Sequence, residues 1–370
     1  MTASDDIAHM RAALALARRG LGNVAPNPAV GCVIVRDRAV IGRGWTQPGG
    51  RPHAETEALK RAGEAARGAT AYVTLEPCCH WGRTPPCTDA MIAAGVARVV
   101  VALRDPDPRV NGEGLDRLRA AGIAVEEGVL EAEAARLNAG FISRVRAGRP
   151  LVTLKLATTL DGRIAAASGE SRWITGPVAR RLAHRLRARH DAVMVGSGTA
   201  LADDPALTVR IPGLVPAGHP GPVRIVADGR LRLPLTSVLA ATAPATPTWI
   251  LTTQGADRHR VSAFTDCGVT VISVTADANG QPEPRAALRA LAGRGITRLL
   301  VEGGSRLAAS LLRAGVVDRL AWYHAPGVLG ADAVPGIEAL GLAGLEAMPR
   351  FRVADSMTAG PDRLTLLERE

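Results

Sequence analysis

The sequence predicts two consecutive α/β domains. Three observations carry that expectation: a length of 370 residues, short apolar runs alternating with amphipathic stretches, and a break at Ala147-Gly148-Arg149-Pro150. A single core rarely grows so large, whereas two domains of ~150–200 residues are ordinary. Alternating strands and helices pack as a layered α/β sandwich, with helices on both faces of a sheet.

In the first half, Ile7, Met10, Leu14 and Ala17 recur at helical spacing and Gly20 supplies a stop. Apolar runs at 30–35 and 39–44, separated by Arg36-Asp37-Arg38, predict a hairpin. Pro52 suits a helix start and Gly63 its end. A strand at 71–75 breaks at Glu76-Pro77, and a helix at 86–94, a strand at 97–102, a helix at 115–121 and a strand at 123–126 follow. One closing helix is expected over 130–146, before the break. In the second half, strands are expected at 151–157, 192–195, 223–227, 249–252, 269–274, 299–301 and 319–323. Helices fit 177–188, 284–291 and 305–314, and the Pro- and Gly-rich stretch 211–221 is a loop. The halves do not repeat each other, which predicts two different folds.

Composition narrows the function. The apolar fraction of 47% and charged fraction of 22% are those of a globular protein, and only 3% aromatics leave Ala, Val, Leu and Ile to build the cores. No run of about 18 apolar residues is present, so no membrane partner is expected. The start is acidic and then amphipathic, unlike a secretory leader, and a cytoplasmic location is expected. The net charge of +10 invites a nucleic-acid reading. However, only Lys60 and Lys155 are lysines, the arginines are spread along the chain, and two Tyr and three Phe offer few platforms for stacked bases. The charge reads instead as a compositional bias towards arginine, with attraction of a phosphorylated substrate or polyanion as the lesser alternative. Among five cysteines, Cys78, Cys79 and Cys87 fall close together, which suits a metal site better than a disulfide framework with Cys32 and Cys267.

His53-Ala54-Glu55, then Pro77-Cys78 and Cys87, offers one imidazole and two thiolates. Three protein ligands with a fourth position open is the arrangement of catalytic zinc, which lowers the pKa of bound water from 15.7 to about 7. Glu55 is then free to act as general base and acid. Alone, a His-x-Glu pair is an ordinary solvated helix face. With two cysteines in strand and helix contexts it becomes a deaminase pattern. Residues two apart on a helix do not face each other, so His53 and Glu55 must sit at its first turn. Cys87 would open the next helix, where N–H groups favour a thiolate. Cys79 and His80 stand in the gap as competing donors. A structural zinc site beside a ligand-binding domain is the non-enzymatic alternative, but it has no use for Glu55.

In the second half, Lys155-Leu156-Ala157 ends a strand, and Val301-Glu302-Gly303-Gly304-Ser305 joins a strand to a helix through a glycine pair. Such a pair lets backbone N–H groups approach a phosphate, as Gly196-Ser197-Gly198 also allows. Arg187 and Arg210 can fork onto a phosphate or carboxylate.

Two stretches make a resemblance specific. Residues 74–87 (Thr-Leu-Glu-Pro-Cys-Cys-His-Trp-Gly-Arg-Thr-Pro-Pro-Cys) and Pro26-Asn27-Pro28-Ala29-Val30-Gly31-Cys32 resemble the bifunctional riboflavin-biosynthesis deaminase/reductase family, whose hallmark is this long gap between cysteines. The resemblance extends through the Lys155, Ser171-Arg172-Trp173, Asp203 and Glu302 segments and thins between about 213 and 284. It implies a cytidine-deaminase-like three-layer domain at 1–147 and a dihydrofolate-reductase-like domain at 151–370. It implies zinc on His53, Cys78 and Cys87, since the family has Ser at the position of Cys79, with Glu55 catalytic and Asn27 on the pyrimidine. Asp105 and Asn111 resemble substrate contacts. NADPH would be lined by Ala157, Trp173, Thr199, Asp203 and the run Gly304, Ser305, Arg306, Leu307, Ala308, Ala309 and Ser310. The ribosyl-phosphate substrate would meet Ser171, Arg187, Leu207, Arg210 and Glu302, with Lys155 orienting or protonating the opened sugar. The implied reactions are deamination of 2,5-diamino-6-(5-phosphoribosylamino)pyrimidin-4(3H)-one and reduction of the ribosyl chain of 5-amino-6-(5-phosphoribosylamino)uracil, in a homo-oligomer.

Overall fold

The computed structural model describes residues 2–370 and forms two compact units that divide after Gly148. In the first, helix α1 (Ala3–Ala17) is closed at its start by Thr2, whose hydroxyl accepts the Asp5 amide while the Asp5 carboxylate accepts the Thr2 amide. Strands β1 (Gly31–Arg36) and β2 (Ala39–Trp45) form the expected hairpin. Then follow α2 (Ala54–Ala62), β3 (Thr70–Val73), α3 (Cys87–Ala94), β4 (Arg98–Val101), α4 (Glu113–Ala120) and β5 (Ala124–Glu127). The sheet order is β2-β1-β3-β4-β5, with β3, β4 and β5 parallel. Strands β3 and β4 are buried almost throughout, which is why they appear in the sequence as unbroken apolar runs.

Bare backbone sets the depth at which two helices rest on this sheet. A Cβ on Gly31 would fall 1.9 Å from the Ala13 carbonyl oxygen of α1. On Gly44 and Gly42 it would fall 2.0 Å and 2.4 Å from the carbonyls of Ala54 and Ala58 in α2. Helix α2, which carries Glu55, therefore lies directly on β2.

The single helix expected over 130–146 is two, α5 (Glu131–Leu137) and α6 (Ala139–Ala147). Asn138 breaks it because its buried amide serves a distant strand entry instead. Its Oδ1 accepts the Ala29 N–H at 2.9 Å and its Nδ2 donates to the Ala29 carbonyl at 3.1 Å. That side-chain pairing offers the backbone an alternative to the helix.

The second unit runs β6 (Leu151–Thr158), β7 (Arg163–Ala165), α7 (Pro177–Arg187), β8 (Ala192–Gly196), α8 (Ser197–Asp203), β9 (Val223–Ala227), α9 (Val238–Ala241), β10 (Thr248–Thr253), α10 (Arg258–Asp266), β11 (Thr270–Val274), α11 (Pro284–Gly293), β12 (Arg298–Val301), α12 (Ser305–Arg313), β13 (Arg319–His324), β14 (Val334–Pro335), β15 (Phe351–Ala359) and β16 (Asp362–Arg369). Nine strands form one sheet in the order β11-β10-β9-β8-β12-β6-β13-β16-β15. Seven are parallel, and the hairpin β15–β16 adds to β13 antiparallel. Side chains alternate between two cores along β8, with Ala192 and Met194 in one and Val193 and Val195 in the other. A parallel sheet buried on both faces binds ligands beyond the carboxyl ends of its strands. Lys155 and Ala157 near the end of β6 and Glu302 after β12 lie at that edge.

Every strand expected in this half is present. Helices α8, α9 and α10, the short paired strands β7 and β14, and the terminal hairpin were not expected. Gly196-Ser197-Gly198 carries the chain from the end of β8 into α8. The stretch 211–221 forms neither helix nor strand, as expected.

Candidate active sites

His53 is the N-cap of α2, in extended backbone (φ −70°, ψ 160°), and Glu55 lies in the first turn. His53 is thus outside the helix, so that the two side chains converge despite their spacing. Cys78 follows the end of β3, and Cys87 is the first residue of α3. The Cys87 amide donates to Cys78 Sγ at 3.3 Å, while His53 Nδ1 lies 3.3 Å from Cys87 Sγ and 3.7 Å from Cys78 Sγ. All three donor atoms lie within 4.8 Å of one another, and among the described residues they are the one such cluster. One imidazole and two sulfurs, each fixed at the end of an element, form a donor set that fits zinc with a position left free. The competing donors point elsewhere. Cys79 Sγ faces the Arg109 carbonyl at 3.8 Å, and His80 lines the neighbouring cavity without joining the cluster.

Glu55 is 3% exposed. Burial pushes its carboxyl up to about 7, against the pull of the nearby His53 ring. Hydrogen bonding from Cys87 and His53 draws the Cys78 thiol well below its ordinary value. A cavity opens over this cluster, lined by Asn27, Arg51, His53, Glu55, Cys78, His80, Asp105, Asp107 and Arg109 among others. Asn27 is seated against Gly50, where a Cβ would fall 1.7 Å from its Nδ2. Asp105 is buried and accepts the Asp107 amide at 2.9 Å, and burial pushes its carboxyl up to about 7. Asn111, by contrast, is exposed and outside the lining. Arg51, Asp107 and Arg109 were missed from the sequence, where nothing distinguishes them from other surface charges.

The second constellation centres on Glu302. Its carboxylate takes both arms of the Arg187 guanidinium, at 2.5 Å and 3.0 Å, and Lys155 Nζ lies 4.0 Å away. Arg187 also donates to the Thr208 carbonyl at 2.9 Å. Burial alone would raise the Glu302 carboxyl, yet the two cations hold it below its ordinary value. Burial lowers the Lys155 ammonium, with Glu302 opposing. Arg210 does not join this group, being exposed, but its backbone amide donates to His184 Nδ1 at 3.3 Å. Leu207 is buried with φ 51°, and Ser171 is half-buried.

Gly303 and Gly304, at φ 135° and 68°, lead into α12, whose start has no side-chain cap. A Cβ on Gly304 would lie 3.3 Å from Thr199 Oγ1. This bare, uncapped helix end fits the phosphates of a dinucleotide. Asp203, at the end of α8, faces the Arg172 guanidinium at 3.8 Å. Trp173 is 67% exposed, with the Arg180 guanidinium 4.4 Å from its ring centroid. Ala157 is half-buried on β6. Of the run after Gly304, Ser305, Leu307 and Ser310 are half-buried and Arg306 is exposed and paired with Glu338. Ala308 and Ala309 are wholly buried, so their side chains belong to the core.

Fold and site together define a zinc-dependent deaminase joined to a nicotinamide-dependent reductase. Residues 3–103 match the family described as cytidine and deoxycytidylate deaminase zinc-binding region, and 150–365 match the RibD C-terminal domain. Riboflavin biosynthesis protein RibD of Escherichia coli (strain K12) is 46% identical over 367 residues, covering 96% of each chain. That of Bacillus amyloliquefaciens is 40% identical, covering 98% of this chain and 96% of the relative. Among solved structures, Acinetobacter baumannii RibD superposes with a TM-score of 0.90 at 40% identity over all of both chains. A diaminohydroxyphosphoribosylaminopyrimidine deaminase/5-amino-6-(5-phosphoribosylamino)uracil reductase from Thermotoga maritima gives 0.85 at 34% identity over 99% of each. The chain belongs to the RibD family, the bifunctional deaminase/reductases of riboflavin biosynthesis, with zinc and NADPH as its cofactors.

Proposed function

We propose that the first domain (1–147) removes the 2-amino group of 2,5-diamino-6-(5-phosphoribosylamino)pyrimidin-4(3H)-one, and that the second (151–370) reduces the ribosyl chain of the product, 5-amino-6-(5-phosphoribosylamino)uracil, to ribityl. His53, Cys78 and Cys87 hold zinc; Asn27 and Asp105 orient the ring. Zinc supplies an acidified water at neutral pH, and NADPH supplies the reducing equivalents. Glu55 takes a proton from the attacking water and delivers it to the departing ammonia. Lys155 donates a proton to the opened sugar, and Glu302 keeps that ammonium charged and aligned. Ser171, Arg187, Leu207, Arg210 and Glu302 hold the ribosyl phosphate. Ala157, Trp173, Thr199, Asp203, Gly304, Ser305, Arg306, Leu307 and Ser310 line NADPH, with Ala308 and Ala309 packing the helix behind them. The enzyme works in the cytoplasm as a homo-oligomer on small molecules. No helix among the described residues is long and apolar enough to cross a membrane.

The observation that carries this reading is the Glu55 carboxyl, buried beside three donors that leave a position free. Glu55→Gln should retain one zinc per chain, abolish ammonia release and leave NADPH oxidation on the deaminated product intact. Unchanged ammonia release would remove Glu55 from the chemistry.

A further inference from the structure

Glu76 has no role in the steps above, yet it is among the most heavily bonded side chains of the first unit. It is 3% exposed and lies three residues beyond β3, on the segment that leads to Cys78. Its carboxylate accepts four backbone hydrogen bonds. Oε2 takes the Asp105 amide at 3.1 Å and the Gly112 amide at 2.9 Å; Oε1 takes those of Gly112 at 2.9 Å and Gly114 at 3.0 Å. Its own amide donates to the Leu103 carbonyl at 2.9 Å. These donors bracket the segment 105–114, a loop that runs into the first turn of α4 and lends Asp105, Asp107, Arg109 and Val110 to the cavity. The far end of the loop sits equally close, since a Cβ on Gly114 would fall 2.3 Å from the Pro77 carbonyl oxygen.

We propose that Glu76 is a positioning residue: its carboxylate clamps both ends of segment 105–114 to the stretch after β3 that carries Cys78, and so sets the fit of the pyrimidine. Hydrogen bonds to an ionised acceptor are stronger than neutral ones, and one carboxylate with two acceptor oxygens can hold both ends at once. A glutamine cannot. With its oxygen at the Oε2 position it keeps the Asp105 and Gly112 amides but turns its NH2 group on the Gly114 N–H, and with its oxygen at Oε1 it strands the Asp105 N–H instead. Glu76→Gln therefore weakens one end of the loop's seat at almost constant volume, while Gly114→Ala displaces the same seat from the loop side, its Cβ falling 2.3 Å from the Pro77 carbonyl oxygen and 3.1 Å from Glu76 Oε1.

The inference rests on the deaminase reading, and the test separates the two. In the full-length zinc enzyme, Glu76→Gln should raise KM for the diaminopyrimidinone by about tenfold while kcat stays within about threefold. Zinc per chain and NADPH-dependent reduction should not change. Amide hydrogen exchange should quicken in 105–114 and not in 70–73. Gly114→Ala should show the same split, and it stands in if Glu76→Gln does not fold. An unchanged KM with intact exchange protection, or a fall in kcat or zinc content without a KM change, overturns the proposal. If the unaltered enzyme releases no ammonia from this pyrimidine, the substrate reading fails, and the exchange pattern still decides whether Glu76 holds the loop.

Discussion

Replacing Glu302 with glutamine leaves two buried cations facing each other without their anion. The Glu302 and Arg187 side chains are 6% and 15% exposed and the Lys155 side chain 19%, so water screens them little. At 4.0 Å the attraction between Lys155 and Glu302 is about 4 kcal/mol at an effective dielectric constant of about 20. The paired Arg187 lies closer still. Part of this is offset in Glu302→Gln because Lys155 sheds its proton, burial already lowering that ammonium. Breaking a buried pair by removing one partner costs about 3–5 kcal/mol, and that is the loss expected for the second unit. The assay is urea unfolding followed by a probe in that unit, with NADPH oxidation measured alongside. Unfolding should shift to lower urea, reduction should be lost, and zinc content and ammonia release should persist. A variant that unfolds within about 1 kcal/mol of the parent and reduces its substrate at the same rate would refute the view that Glu302 holds the two cations in place.

Three further outcomes follow from the geometry. Asn138→Ala strands both the N–H and the C=O of Ala29 in the interior, and should lower first-unit stability by about 2–4 kcal/mol in denaturant titration. Hydrogen bonds from Arg98 hold the Asp6 carboxyl below its ordinary value, so its contribution is full above the unfolded value near about 3.9 and is lost as pH falls through the folded one. Urea midpoints of Asp6→Asn should therefore fall less steeply than the parent's between about pH 4 and 2. Gly304→Ala forces a side chain into φ 68°, 3.3 Å from the Thr199 hydroxyl. It should weaken NADPH at least about fivefold, an effect worth about 1 kcal/mol, by fluorescence titration, with deamination unaffected.

Much of this was legible because chemistry and local structure share the same residues. Pro52, His53 and Glu55 are neighbours at one helix start, and Cys87 opens another, so residue type and spacing suffice to place them. Buried strands such as 298–301 announce themselves as apolar runs. What stayed hidden is non-local. The break at Asn138 depends on Ala29, 109 residues away, and Glu76 owes its partners to a loop about 30 residues on. The terminal hairpin escaped because β15 is a sheet edge, exposed along most of its length, and its alternation is poor. Ala308 and Ala309 were grouped with the cofactor by motif alone, whereas helical periodicity turns them inward.

Gly31, Gly42 and Gly44 carry no functional group, yet no other residue fits where they lie. Exchange of glycine for alanine, a common route to a sturdier protein, is closed at these three positions. A saturation library scored on riboflavin-independent growth should find them as intolerant as Glu55. Ranking positions by tolerance alone would therefore draw a false second active site across the hairpin, made of places where atoms are forbidden rather than used.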